Sequence, residues 1–114
     1  MRLQVKGKNL EVSDSIRSYA EQKLGKLDKQ LGDLVQVELE LAVERNPSIS
    51  ENQVAEATVF TKGHPLRARA ATKDMRASID GLTAKLLREV KEYQDKRRRE
   101  PRRRTDRSGR DLQA

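Results

Sequence analysis

Apolar and polar side chains alternate along four short stretches of this chain, a period of two that is typical of strands with one buried face. The four stretches are residues 2–6, 34–44, about 53–62, and 66–70. In the second, the most regular, the apolar side consists of Val35, Val37, Leu39, Leu41 and Val43. In the third, the side predicted to face inward is Ala55, Ala57 and Val59. We therefore predict four strands, with a loop at 45–52 and a turn at 62–65.

Two further stretches have an apolar residue at every third or fourth position, which aligns these residues along one face of an α-helix. The first helix is predicted to begin after the N-cap residue Ser13 and to end before Gly32, with Gly25 weakening but not breaking it. Its apolar stripe is Ile16, Ala20, Leu24, Leu27 and Leu31. The second helix is predicted to start at Thr72 or Asp74. Its apolar stripe is Met75, Ile79, Leu82, Leu86, Val90 and Tyr93.

The predicted order of elements is β-α-β-β-β-α, which places the protein in the α+β class. Because each helix has a single apolar stripe, we expect both helices to pack on one face of a four-stranded sheet and to leave the other face open. The initial strand–helix–strand segment is expected to form a parallel crossover, and the later strands are expected to form antiparallel hairpins.

Composition limits the class of protein to which this sequence can belong. The 114 residues include no cysteine, which excludes a disulfide scaffold and a thiolate metal site. No apolar run approaches the roughly 20 residues of a membrane span, and residues 2–6 lack the apolar core of a signal peptide. We therefore expect a small cytoplasmic protein that does not contact a membrane.

Positive charge is concentrated at the end of the sequence. The whole chain has 25 Lys and Arg against 18 Asp and Glu, a net charge of +7. Residues 96–114 contain nine of these cations and three of the carboxylates, whereas residues 1–95 are almost neutral. Since residues 96–114 have almost no apolar side chains, we predict a folded domain over 1–95 and a disordered basic tail or linker over 96–114.

The sequence contains no pattern typical of catalysis, and we predict that the protein is not an enzyme and has no catalytic residues, cofactor, metal site or small-molecule substrate. His64, the single histidine, lies in a Gly-His-Pro turn. Glu38, Glu40 and Glu44 alternate along the polar side of the second strand. A solvated strand face explains these carboxylates better than a catalytic pair, which would need a pocket and a raised pKa.

Basic residues are regularly spaced on both predicted helices. The two rows are Lys23, Lys26 and Lys29 on the first helix, and Lys85, Arg88 and Lys91 on the second. Each row starts beside the apolar stripe and winds about 120° around its helix. Parallel helices would place one row between them and the other on the outer flank, whereas antiparallel helices would bring both rows together or separate both. Such rows are typical of surfaces that bind RNA phosphates, but charged flanks of amphipathic helices also serve solvation alone.

Two arginines on the fourth strand, Arg67 and Arg69, are further candidates for phosphate contacts. Cross-strand pairing with Glu56 on the third strand is an equally natural role for them. The sequence leaves these two interpretations open.

Four blocks of sequence carry a resemblance to a known family. They are residues 9–17 (NLEVSDSIR), 23–29 (KLGKLDK), 74–80 (DMRASID) and 85–88 (KLLR). Together they resemble the ribosome hibernation factor family, which includes the hibernation promoting factor and the ribosome-associated inhibitor. The resemblance covers about residues 2–95 and implies the same β-α-β-β-β-α fold with both helices on one sheet face.

The resemblance implies a non-catalytic protein that binds the small ribosomal subunit in the decoding channel, blocks messenger and transfer RNA, and silences translation under stress or in stationary phase. Basic residues of the two helices contact ribosomal RNA in this family. The positions carried over are Lys23, Lys26, Lys29, Lys85, Arg88 and Lys91. A general double-stranded-RNA-binding domain or RNA chaperone is the alternative, because two helices over a sheet also suit recognition of RNA by shape.

Residues 96–114 depart from the family pattern. A well-known short form ends in an acidic tail, whereas this tail is strongly basic. Long forms continue through a linker into a second domain that dimerises ribosomes. The sequence leaves open whether it is a distinct short form or the first part of a long form, and we expect the isolated domain to be monomeric.

Overall fold

The computed structural model describes residues 1–32, 35–46 and 48–109 of the chain. Within these ranges, four strands form one sheet in the order β1-β2-β3-β4. The strands are β1 (Arg2–Lys8), β2 (Gln36–Val43), β3 (Gln53–Phe60) and β4 (Leu66–Thr72). β1 runs parallel to β2, and the other two pairs are antiparallel, so the predicted parallel connection and the predicted hairpins are confirmed.

The described helices are α1 (Asp14–Leu24), α2 (Asp28–Leu31) and α3 (Met75–Gly109), with a 3₁₀ turn (Gly25–Leu27) between the first two. The sequence predicts one continuous helix before Gly32. In the structure the α-helix changes to a 3₁₀ turn at Gly25, because the low helix propensity of glycine weakens the α-helix there. Leu24 and Leu27 are nevertheless both fully buried, because residues three apart align along a 3₁₀ turn. The apolar stripe is therefore preserved through the change, and the β-α-β-β-β-α order is confirmed.

Both helical segments cover the same face of the sheet, and the core lies between these two layers, as predicted. The central strands contribute their alternate residues, all fully buried: Val37, Leu39, Leu41, Ala55, Ala57 and Val59. From the helices, the buried residues are Ala20, Leu24, Leu27, Met75, Ile79, Leu82, Leu86 and Val90. Small residues let α3 approach β4 closely, since a Cβ atom added to Gly81 would lie 3.4 Å from the Cβ of Ala70.

Side-chain caps determine where α1 and α3 begin. Ser13 Oγ accepts a hydrogen bond from the Ile16 amide at 3.2 Å, as predicted. Asp74 Oδ2 accepts one from the Ala77 amide at 3.0 Å, so Asp74 caps α3. Thr72, the other predicted start, ends β4 instead, and its Oγ1 accepts a hydrogen bond from the Asp74 amide at 3.1 Å. Each cap satisfies an amide in a first helical turn that has no partner within the helix.

α3 is longer than the sequence predicts. It continues through Gly109, whereas we expected disorder from residue 96. Lysine, arginine and glutamate have high helix propensity, and extending a helix costs much less than starting one. The prediction considered only the lack of apolar residues and omitted this local preference. Val90 is the last buried residue among the described side chains of α3, and the domain boundary at residue 95 stays a prediction. Residues 110–114 lie outside the described residues.

The connection between β1 and α1 depends on a glycine. A Cβ atom added to Gly7 would lie 1.9 Å from the carbonyl oxygen of Leu10 and 3.2 Å from Cγ2 of Val12. Asn9, in the same connection, has a φ of 54°, in the left-handed region that asparagine tolerates better than most residues. The backbone therefore folds back against Gly7 and leaves no space for a side chain there.

We predict that Gly7→Ala destabilises the domain by about 1–3 kcal/mol, the usual cost of forcing atoms into an occupied site. Gly25→Ala is the matched control, because Gly25 has helical dihedrals (φ −58°, ψ −21°) and a Cβ there has no neighbour within 4 Å. The control is expected to stabilise the domain by about 0.4–1 kcal/mol. Urea unfolding midpoints measure both changes, and equal stabilities for the two variants would contradict this account of Gly7.

Candidate nucleic-acid interface

The first helical segment consists of α1, the 3₁₀ turn and α2. This segment and α3 lie side by side and run in the same direction. Three hydrogen-bonded pairs join them in matching order: Ser15 with Arg76, Tyr19 with Asp80, and Gln30 with Gln94. Of the arrangements that the sequence leaves open, the structure therefore has the parallel one. As that arrangement requires, Lys23 lies in the groove between α1 and α3, and Lys85 lies on the outer flank of α3 against β4.

The groove between α1 and α3 holds a network of polar side chains, the groove cluster, which consists of Ser15, Tyr19, Lys23, Arg76 and Asp80. Asp80 is at its centre. The Tyr19 hydroxyl donates a hydrogen bond to Oδ1 of Asp80 at 2.7 Å and is 2.9 Å from Oδ2. Lys23 Nζ lies 3.6 Å from Oδ1 of the same carboxylate. One carboxylate on α3 therefore holds two side chains of α1.

Two cations of the groove cluster contact the ring of Tyr19. Lys23 Nζ and Arg76 Cζ each lie 5.4 Å from the ring centroid, within the range of a cation–π interaction. Arg76 Nη2 also donates a hydrogen bond to Ser15 Oγ at 2.5 Å. The hydrogen bond to Asp80, partial burial and the negative charge of Asp80 raise the pKa of Tyr19 above its ordinary value of 10.0, against the opposing effect of Lys23. The hydroxyl is therefore protonated at neutral pH and available as a donor to Asp80.

A second group of basic residues, the edge cluster, lines a concavity of about 470 Å³ where α3 lies along β4. Its cations are Arg67, Arg69, Lys85 and Arg88. Lys85 Nζ donates a hydrogen bond to the carbonyl of Arg69 at 2.8 Å and so ties α3 to the edge of the sheet. Glu89 and Glu92 line the same concavity and balance part of its charge. Arg69 is also directly opposite Glu56 in the β3–β4 register, so the geometry accommodates cross-strand pairing as well as a phosphate contact.

The other three predicted residues are exposed and lie outside both clusters: Lys26, Lys29 and Lys91. Lys26 is in the 3₁₀ turn and Lys29 is in α2. On α3, the row that starts at Lys85 winds about 120° away from β4 before it reaches Lys91. The eight predicted residues therefore form no single patch, because one lies in the groove, four lie at the edge of the sheet and three lie elsewhere on the helices.

Sequence reasoning missed four members of the groove cluster: Ser15, Tyr19, Arg76 and Asp80. A signal was present, because Ser15 and Tyr19 are spaced by four residues, as are Arg76 and Asp80. Side chains four apart lie on the same face of a helix. The two faces meet across a separation of 61 residues, which requires knowing that the helices are parallel and in this register.

The sheet face opposite the helices has carboxylates at its centre. Glu40 of β2 is directly opposite Glu56 of β3, and Glu38 forms an ion pair with Lys6 of β1 at 3.5 Å. The described part of the chain contains no group of three or more His, Cys, Asp or Glu placed to hold a metal ion. None of its helices is long and apolar enough to cross a membrane.

Comparisons with known proteins give a consistent result. The family described as sigma 54 modulation protein / S30EA ribosomal protein matches residues 3–98. The ribosome hibernation promotion factor of Lactococcus lactis is 35% identical over 106 residues, which cover 90% of this chain and 54% of that protein. The ribosome hibernation promoting factor of Salmonella typhimurium is 34% identical over 96 residues, which cover 84% of this chain and 96% of that protein. The chain thus spans about half the length of the first relative and nearly all of the second.

The fold also matches a solved structure. The crystal structure of the N-terminal domain of Thermus thermophilus Protein Y superposes with a TM-score of 0.67 at 29% sequence identity. The superposition covers 82% of this chain and 99% of that one. The aligned part of this chain therefore has a solved counterpart of almost the same extent.

Proposed function

The chain belongs to the sigma 54 modulation protein / S30EA ribosomal protein family, and we propose that it is a ribosome hibernation factor. The relatives that it matches are called ribosome hibernation promoting or promotion factors. In this proposal residues 1–95 bind the small ribosomal subunit in the decoding channel, in the cytoplasm, and exclude messenger and transfer RNA. Exclusion needs only that the domain occupy the channel, so the proposed role involves no catalytic step.

The observation that carries this proposal is the distribution of cations over the helical layer and its flank. Lys23 and Arg76 lie in the groove, and the edge cluster adds four cations where α3 meets β4. RNA phosphates are bound by such cations, and each neutralised phosphate releases condensed counterions. On the opposite sheet face, Glu40 and Glu56 lie at the centre, and the cations of that face are on the edge strands β1 and β4. We therefore expect the helical layer to face ribosomal RNA and the affinity to fall steeply with salt.

Replacing Lys23, Lys26, Lys85 and Arg88 together with glutamate is expected to abolish binding to small subunits, because charge is inverted in the groove, on the first helical segment and at the edge. Co-sedimentation with small subunits at near-physiological salt measures the effect, and thermal unfolding measures stability in parallel. Since a glutamate at position 23 would face Asp80, a second variant with glutamine at all four positions is included. It is expected to bind much more weakly than the wild type without adding repulsion in the groove.

The control for these variants is Glu38→Gln with Glu40→Gln on the opposite sheet face, which should alter ribosome affinity much less. Continued co-sedimentation of the charge-reversed protein would show that the proposed surface is wrong. Equal affinity of the wild type for small subunits and for a free hairpin RNA would favour the alternative, a general double-stranded-RNA-binding domain or RNA chaperone.

Binding in the decoding channel predicts that the protein and the messenger and transfer RNAs exclude each other from the small subunit. Small subunits saturated with the protein should fail to retain messenger and transfer RNA in a filter-binding assay, because the same space is filled. Subunits loaded first with both RNAs should likewise fail to bind the protein. Simultaneous retention of the protein and both RNAs would contradict binding in the decoding channel, although it would leave ribosome binding itself intact.

Residues 96–114 are proposed to add affinity and to be dispensable for folding. A chain that ends at residue 95 should unfold at the same temperature as the full chain, because the apolar stripe of α3 ends before that point. Its binding to small subunits should be weaker and less dependent on salt, because nine cations are lost from the RNA-bound protein. Salt titrations of ribosome binding measure both effects.

A chain with residues 96–114 in scrambled order is the control for this deletion. It should bind like the full chain, because the segment, although helical through Gly109, is proposed to supply charge density rather than placed hydrogen bonds. Identical salt slopes for the full and shortened chains would show that the segment is a passive linker. A scrambled chain that behaves like the deletion would reveal a specific contact instead.

A further inference from the structure

Asp80 occupies an unexpected position for a carboxylate on a surface that binds RNA. It lies in the middle of the groove cluster, where its negative charge weakens the attraction of the groove for phosphate. The same carboxylate accepts a hydrogen bond from the Tyr19 hydroxyl and lies 3.6 Å from Lys23 Nζ. Asp80 therefore organises neighbouring side chains at the expense of net positive charge.

Tyr19 extends this organisation to both cations of the groove. Its hydroxyl is held by Asp80, and its ring contacts Lys23 and Arg76, each at 5.4 Å from the centroid. Each cation thus has two contacts, since Lys23 also pairs with Asp80 and Arg76 also donates to Ser15. Long basic side chains without such contacts populate many rotamers, and a ligand that binds them must order them.

We propose that Asp80 and Tyr19 are positioning residues that make the groove selective for folded ribosomal RNA over unstructured RNA, an inference that rests on the proposed function. A folded RNA presents its phosphates at fixed places, so it benefits from cations that are already ordered. An unstructured RNA adapts to any arrangement of cations and responds chiefly to net charge, which Asp80 lowers. The network therefore favours binding of folded RNA and disfavours binding of unstructured RNA.

The variant Tyr19→Phe tests positioning without changing charge. It keeps the ring that contacts Lys23 and Arg76 but removes the hydroxyl that binds Asp80. Affinity for small subunits is expected to fall by about two- to fivefold, the scale of one partly exposed polar contact, while affinity for a uridine oligomer stays unchanged. Equal changes in both affinities, or no change in either, would overturn the positioning role of Tyr19.

The variant Asp80→Asn tests the carboxylate. Affinity for the uridine oligomer is expected to rise, because one negative charge is removed, whereas affinity for small subunits is expected not to rise. The matched control is Glu21→Gln, which removes the same charge from the exposed surface of α1. Glu21 lies one turn from Arg17, whose guanidinium contacts the Val5 carbonyl of β1 at 3.1 Å, on the flank away from α3. This control should change both affinities by the same small factor, and an equal rise with Asp80→Asn would overturn the proposal.

A measurement without ribosomes keeps this inference separate from the proposed function. The pKa of Tyr19, followed by NMR of its ring carbon, should lie above 10.0 in the wild type and fall toward that value in Asp80→Asn. An unchanged pKa in the variant would show that the network is not formed in solution and would overturn the inference alone. A wild-type protein that does not bind small subunits would refute the proposed function, whatever the state of the network.

Discussion

The sheet has one apolar face that must be covered. The placement and direction of both helical segments depend on this requirement. Pairing of β1 with β2 is parallel and the next two pairings are antiparallel, so β1 and β4 point in the same direction. Each of these strands is followed by a helix that packs back over the sheet. The first helical segment and α3 therefore run parallel to each other, and this direction decides which of their polar flanks meet.

Parallel helices separate the basic residues into groups with different surroundings. The flank of α1 that includes Lys23 faces α3, whereas the flank of α3 that includes Lys85 faces β4. In the groove the cations contact an aromatic ring and a carboxylate, and at the edge they surround a concavity with two glutamates. Similar spacing in the sequence thus produces two surfaces, one ordered by specific contacts and one defined mainly by charge.

The sequence predicts the strands and the apolar stripes well because their periods are local. Alternation along β2 and a repeat of three or four along α3 depend on neighbouring residues alone. Both were confirmed except at Val43, which is exposed at the end of β2. The helix type at Gly25 and the extent of α3 toward Gly109 were not predicted, because propensity and packing compete there. The contacts among Tyr19, Arg76 and Asp80 were also missed, since they depend on helix direction and register that the periodicities do not contain.

The groove cluster joins side chains from two distant parts of the chain, which matters for when it can form during synthesis. Ser15, Tyr19 and Lys23 are made early, and their partners Arg76 and Asp80 follow about sixty residues later. α3 also supplies much of the core that covers β3 and β4. A nascent chain without α3 has only the α1 side of the cluster and a sheet that is covered only by the first helical segment. The groove is therefore complete only after α3 has been synthesised and has packed against α1.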